Sequence, residues 1–243
     1  MRKFLIAAVA LFTAFAVVSV ATAQTPGITG SVKLKPNKFT KKKKKRKSVT
    51  ITLDVQNADS TQTANRIQVY LAKQLAVSGK GIKTCPDVET TLDPSGCDAK
   101  SKLGEGTAEA IAGVNGAAPA PLTFDVVAYQ LSAKKIGFLI QQRGGSIQAM
   151  AVGTLKKASG KYGTQLDINI PQIAREFPTG SFNGLKSIHT TIGRKQGKNA
   201  LFKLKGCPGS KKLPFRTVIS FQNNPNPPKA ATLTADSTAK CTK

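Results

Sequence analysis

The sequence predicts an all-β chain built as an antiparallel β-sandwich, immunoglobulin-like or similar, and three observations carry that prediction. Val49, Ile51, Leu53 and Val55 alternate with Ser48, Thr50, Thr52 and Asp54. A period of two with β-branched residues on one face is the pattern of a half-buried strand. Roughly ten to twelve short runs of this kind follow one another with turn residues between them. Finally, almost nothing beyond the first 23 residues carries a helical period, so crossover helices are not expected and neighbouring strands should run antiparallel.

Taken in order, residues 30–36 alternate apolar and polar up to Pro36, and Ile67, Val69 and Leu71 repeat the clear pattern of residues 48–55. From Val77 to Lys102 the periodicity is lost and Pro86, Pro94 and Gly96 appear, which marks an ordered loop. The extended pattern restarts over 104–111. The turn-rich stretch 112–121, AGVNGAAPAP, is a candidate break between two packed β-subdomains. Leu122, Phe124, Val126 and Ala128 then share a face, and segments 136–142 and 146–155 flank Arg143-Gly144-Gly145, a hairpin signal. Leu166, Ile168 and Ile170 lead to Pro171, which ends a strand. One helical turn is expected at Ile173 to Glu176. Further strands are expected at 185–192, 200–205, 215–221 and 230–235.

Arg2 and Lys3 precede an apolar run from Phe4 to Ala21, and Ala21-Thr22-Ala23 stands before Gln24. A charged start, an apolar core and an Ala-x-Ala site make a secretory signal peptide spanning 1–23 and a domain spanning 24–243. An uncleaved membrane anchor is the rival reading of the same run. The expected location is therefore extracellular, with the mature protein released or held at the cell surface. Formal charge is +25, and loss of Arg2 and Lys3 leaves +23. Such a balance attracts polyanions.

Cys85, Cys97, Cys207 and Cys241 make an even count in a secreted chain, which argues for two disulfides. Three pairings are available. The sequence-local one, Cys85 with Cys97 and Cys207 with Cys241, is expected because each pair closes the shorter loop. The first should then hold the early strands to the rest. Metal and cofactor sites are not expected, since Cys-x-x-Cys does not occur and His189 is the single histidine.

The candidate binding residues are Lys41, Lys42, Lys43, Lys44, Lys45, Arg46 and Lys47, seven adjacent cations that repel one another. Such a run is a solvated loop or an electrostatic tether for a polyanion. Anionic cell-wall polymers or lipid headgroups suit the compartment. Nucleic acid would bind only nonspecifically, because the chain has no Trp and only Tyr70, Tyr129 and Tyr162 as tyrosine platforms. His189 should lie on the polar face of its strand, and no Gly-x-Ser-x-Gly elbow accompanies it. Glu105 and Glu109 should share a strand face as two solvated acids, while Gly104-x-Gly106, with Glu105 as its middle residue, is a turn or bulge. No catalytic residue is assigned.

The segment from Cys97 to Ala110, CDAKSKLGEGTAEA, resembles a Cys, then Ser-x-Leu/Val-Gly-x-Gly-x-Ala signature of a family of secreted actinobacterial β-rich proteins. Cys85-Pro86, the turn Gly160-Lys161-Tyr162-Gly163, Ile170-Pro171, Cys207-Pro208 and Cys241 match the same pattern. The resemblance implies a secreted β-rich fold and a bond between the late Cys-Pro and the terminal cysteine; it implies no activity. The sequence therefore favours a non-enzymatic, envelope-associated binding or structural module with a basic surface. A cell-envelope hydrolase with a site assembled from scattered residues is the alternative.

Overall fold

The computed structural model describes residues 27–38, 47–114, 119–222 and 231–242. The signal segment 1–23 and the cations Lys41 to Arg46 lie outside these residues, as does part of the 112–121 connection. Sixteen strands occur among the described residues. They begin with β1 (Ile28–Lys35), β2 (Lys47–Ser48), β3 (Thr50–Asn57), β4 (Ala64–Ala72) and β5 (Leu75–Val77). A four-residue helix α1 (Val88–Thr91) precedes β6 (Lys102–Ala112), β7 (Ala120–Ser132), β8 (Lys135–Gln142), β9 (Gln148–Lys157) and β10 (Tyr162–Asn169). The short helix α2 (Gln172–Arg175) leads to β11 (Gly184–Ile192), β12 (Lys195–Gln196) and β13 (Asn199–Ala200). The chain ends with β14 (Phe202–Leu204), β15 (Lys212–Phe221) and β16 (Ala231–Lys240).

All-β antiparallel architecture is present, but the sandwich is not. Eleven strands form one sheet in the order β1-β3-β11-β6-β7-β8-β9-β10-β4-β15-β16, and β16 comes round to pack against β1. The result is a nearly closed barrel. Every hydrogen-bonded neighbour in the sheet is antiparallel. With an odd number of strands, the two ends of such a sheet must meet parallel. The seam shows this: Asn37 accepts from the Thr242 N–H at 2.9 Å, and Lys38 and Thr242 form an isolated parallel bridge.

Directly opposite residues on paired strands face the same side, so the register traces the lining of the barrel. Val32, Leu53, Thr190, Gly106, Val126, Ile140 and Ala149 stand side by side across seven strands. Ile136, Gly153, Ile168, Ile67, Ile219 and Leu233 continue the apolar surface round the other wall. The outer face is charged, with the pairs Arg143–Asp125, Lys102–Glu105, Lys186–Glu109 and Arg216–Asp236. An apolar interior inside a charged wall is the reverse of a lipid-facing barrel.

The connections place different material at the two ends. At one end β2, β14 and β5 form a three-stranded cap, and Val49, Leu75, Leu201, Leu204 and Leu213 are buried beneath it. Lys47 is the first residue of β2 at this end. The opposite end receives the connections 57–64, 142–148 and 169–184, the last carrying α2. The strands on either side of 112–121, β6 and β7, pair with each other as neighbours in the one sheet.

Disulfides join Cys85 to Cys97 and Cys207 to Cys241. The first loop does not bind the early strands to the rest. It lies on the outer face of β7, β8 and β9, where Cys85 and Val88 are buried against Tyr129, Leu131 and Leu139. Cys85 N–H donates to Gln130 O at 2.8 Å, and Gln148 Nε2 donates to Leu92 O at 2.8 Å. Gly104 and Gly106 belong to β6 and not to a turn, with a register shift between Lys102 and Gly104. A Cβ on Gly106 would sit 2.0 Å from His189 O, so only glycine lets β11 approach.

Loop closure over separations of 12 and 34 residues makes each disulfide worth about 3 to 4 kcal/mol. Replacing Cys85 and Cys97 together by Ser is expected to lower stability by about 3 kcal/mol in urea unfolding, and the Cys207/Cys241 pair by slightly more. An unchanged midpoint in either double variant would show that its loop is held by packing alone.

Candidate ligand-binding site

The barrel lumen holds an apolar cavity of about 160 Å³. Its origin lies in side-chain volume. Eight strands close a barrel whose interior side chains just fill, and more strands widen it. Eleven strands here enclose a wider space, yet two stretches of wall carry only small inward residues: Gly106, Ala108 and Ala110 on β6, and Ala149, Ala151 and Gly153 on β9. Phe138, Phe202 and Phe215 reach in from the capped half and leave the remainder open.

Polar lining is concentrated at the α2 end. The segment 170–183 folds across that end, with α2 touching β4 and β9. Arg175 Nε donates to Ile170 O at 3.0 Å and Nη1 donates to Gln222 Oε1. Asn183 N–H donates to Arg175 O at 2.7 Å, and Asn183 Nδ2 donates to Ala174 O at 3.3 Å. Ala174, Arg175 and Asn183 all border the cavity. Glu109 also borders it, but Lys186 engages its half-exposed carboxylate at 2.9 Å and holds its pKa below the usual range. Ile173 and Phe177, the large hydrophobics that stand exposed among the described residues, flank Arg175 on this same segment.

The residues singled out from sequence fall elsewhere. His189 is on the outer wall beside Asp54. Glu105 pairs with Lys102 and Glu109 with Lys186, so each carboxylate has its own lysine. Of the cation run, only Lys47 falls among the described residues. No group of three His, Cys, Asp or Glu able to hold a metal ion occurs among the described residues. Arg175 and Asn183 escaped sequence reasoning because an isolated Arg and Asn in a Pro-bounded segment make no motif. The available signal was Ile173 and Phe177 set around Arg175 where no strand period runs.

Two of the three tyrosines meet on the outer wall, Tyr70 and Tyr162 at 5.6 Å between ring centres, beside Arg216 and Lys161. Tyr162 is buried and its hydroxyl donates to Asp236, which the Arg216 guanidinium holds at a pKa of about 2. This group fastens β4, β10, β15 and β16 together. Comparison with family models, curated proteins and solved structures finds no match.

One charged cluster tests the wall that carries the lumen. Asp167 on β10 is buried between Arg66 Nε at 2.7 Å and Lys156 Nζ at 2.6 Å. The Arg66 hydrogen bond, aided by Lys156 and opposed by burial, lowers its pKa from 3.8 to about 2. A depressed folded-state pKa gives stability that is present above about pH 4 and lost as pH falls through 2. Both cations are half exposed, so screening limits the effect to at most about 2 kcal/mol. Asp167→Asn is expected to unfold more easily than wild type at pH 7, the gap closing toward pH 2; a gap independent of pH would refute the linkage.

Proposed function

We propose that this chain is a secreted, non-enzymatic binding protein that encloses a small apolar ligand in its barrel lumen. The observation that carries the reading is the apolar cavity of about 160 Å³ whose charged and amide lining groups, Arg175, Asn183 and Glu109, stand at one end. A closed apolar cavity of about 150 Å³ stays dry and accepts a benzene-sized guest. A few polar groups placed at one end of an apolar pocket are the usual means of orienting a ligand. Exposed Ile173 and Phe177 offer an apolar approach to the same end. Engagement of Glu105 and Glu109 by separate lysines supports binding over hydrolysis.

Secretion is supported by the charged, apolar, Ala-x-Ala order of residues 1–23 and by the two disulfides, which suit an oxidising compartment. The surface charge of the mature chain supports retention beside anionic wall polymers or lipid headgroups. Lys47 at the start of β2 and the α2 segment lie at opposite ends of the barrel, so tethering at the first leaves the second free.

Two measurements check these readings. Titration of the chain from residue 24 onward with toluene, followed by NMR, is expected to shift methyl signals of Val32, Ile67 and other lumen residues. Ala151→Phe, which places a ring in the cavity, is expected to abolish those shifts, with Ala108→Leu on β6 as a second block. Retained toluene binding in both variants would place the site outside the lumen. Separately, replacing Lys41 to Lys47 by Gln is expected to weaken retention on isolated cell envelopes and flatten its salt dependence; identical salt titrations would rule out the tether.

A further inference from the structure

The polar end of the lumen specifies more than an apolar guest. We infer that the ligand carries a hydroxyl group on an apolar body about the size of a benzene ring, as a phenol or small aryl alcohol does, and that Asn183 and Arg175 hold that hydroxyl. The inference rests on the lumen being the binding site.

Asn183 is 4% exposed and borders the cavity. Its Nδ2 donates to Ala174 O at 3.3 Å, while its Oδ1 is buried with no hydrogen-bond partner. The Ala174 carbonyl fixes this orientation, because turning the amide over would set two acceptor oxygens against each other. A buried acceptor left without a donor is destabilising, so a ligand that brings a donor recovers that loss. Beside it, Arg175 borders the same cavity. Two of its five N–H groups are directed to Ile170 O and Gln222 Oε1, and no carboxylate among the described residues forms an ion pair with it. It offers positive charge and donors to an acceptor oxygen.

A single ligand group that donates to Asn183 Oδ1 and accepts from Arg175 answers both. A hydroxyl oxygen does both. A carboxylate would satisfy Arg175 but present only acceptors to Asn183; an ammonium would meet the Arg175 charge; a hydrocarbon would leave both groups unanswered.

The test compares toluene, phenol and benzoate, which share a ring and differ in the head group, by calorimetric titration of the chain from residue 24 onward. Phenol is expected to bind about tenfold more tightly than toluene and benzoate, because a site built to hydrogen-bond a hydroxyl rejects analogues lacking it. In Asn183→Leu, the ratio of phenol to toluene affinity should fall to within about twofold. Toluene binding as tightly as phenol to wild type would overturn the hydroxyl inference and leave the lumen reading intact, as would benzoate binding tightest. Failure of all three probes to bind would overturn both. The wild-type comparison decides the matter even where the variant fails to fold.

Discussion

Closing eleven antiparallel strands into a ring is the constraint from which the rest of this molecule follows. An odd count obliges β1 and β16 to meet in parallel, and here they meet without a continuous ladder. Gly30 faces Ala235 across the gap, where a Cβ on the glycine would come within 3.4 Å. The inward positions of β16 are modest, Leu233, Ala235, Ser237 and Ala239, so this strand gains little from burial compared with β15 and its Phe215, Ile219 and Phe221. What secures β16 is its far end. Cys241 follows it directly and is bonded to Cys207, and its N–H donates to Lys211 O at 2.8 Å. The covalent link therefore stands where the hydrogen-bonded sheet is weakest.

A ring of that size has to be filled or left partly empty, and the two long walls are treated differently. Ile67 and Ile168 border the open space with large side chains, whereas β6 and β9 border it with glycine and alanine. On the scale found for core truncations, a cavity of 160 Å³ forgoes on the order of 4 kcal/mol. The two disulfides contribute a comparable amount each, one clasping the outside of β7 to β9 and the other anchoring the seam. Stability lodged in crosslinks and outer layers lets the lumen remain underfilled.

The strands were legible in the sequence because period-two alternation survives any arrangement of half-buried sheets. Ile51 to Val55 and Ile67 to Leu71 are where their pattern puts them, while Val49 falls in the break between β2 and β3. The same alternation serves a sandwich and a barrel equally, since each strand has one apolar and one polar face in both. Only long-range pairing, such as β3 with β11 or β4 with β15, separates the two, and such pairing leaves no local trace. β16 extends to Lys240, beyond the expected end at Ala235, because TADSTAK alternates small residues with polar ones and lacks a hydrophobic signal. Helix α1 was hidden for a related reason: its single buried residue, Val88, cannot set a period. The Ala and Gly spacing in TAEAIA and AMAVG marks the open walls of the lumen, but in isolation it resembles weak strand sequence.

Asn183 and Arg175 show why a site can be harder to read than the fold that holds it. Each acquires its role from partners distant in structure or irregular in backbone: Ala174 O orients the amide, and Gln222 at the end of β15 steadies the guanidinium. Neither contact is needed to close the barrel. A segment selected only to seal the end could have placed an apolar residue at 183 and avoided an unanswered acceptor beside an otherwise apolar lumen. An amide retained at this position, next to a cation with donors to spare, makes sense when a third group completes the set. On the proposed reading the end of the barrel that carries α2 offers a polar contact to a guest, while the β2-β14-β5 cap, with Leu201 and Leu204 wholly buried, closes the other end as a floor.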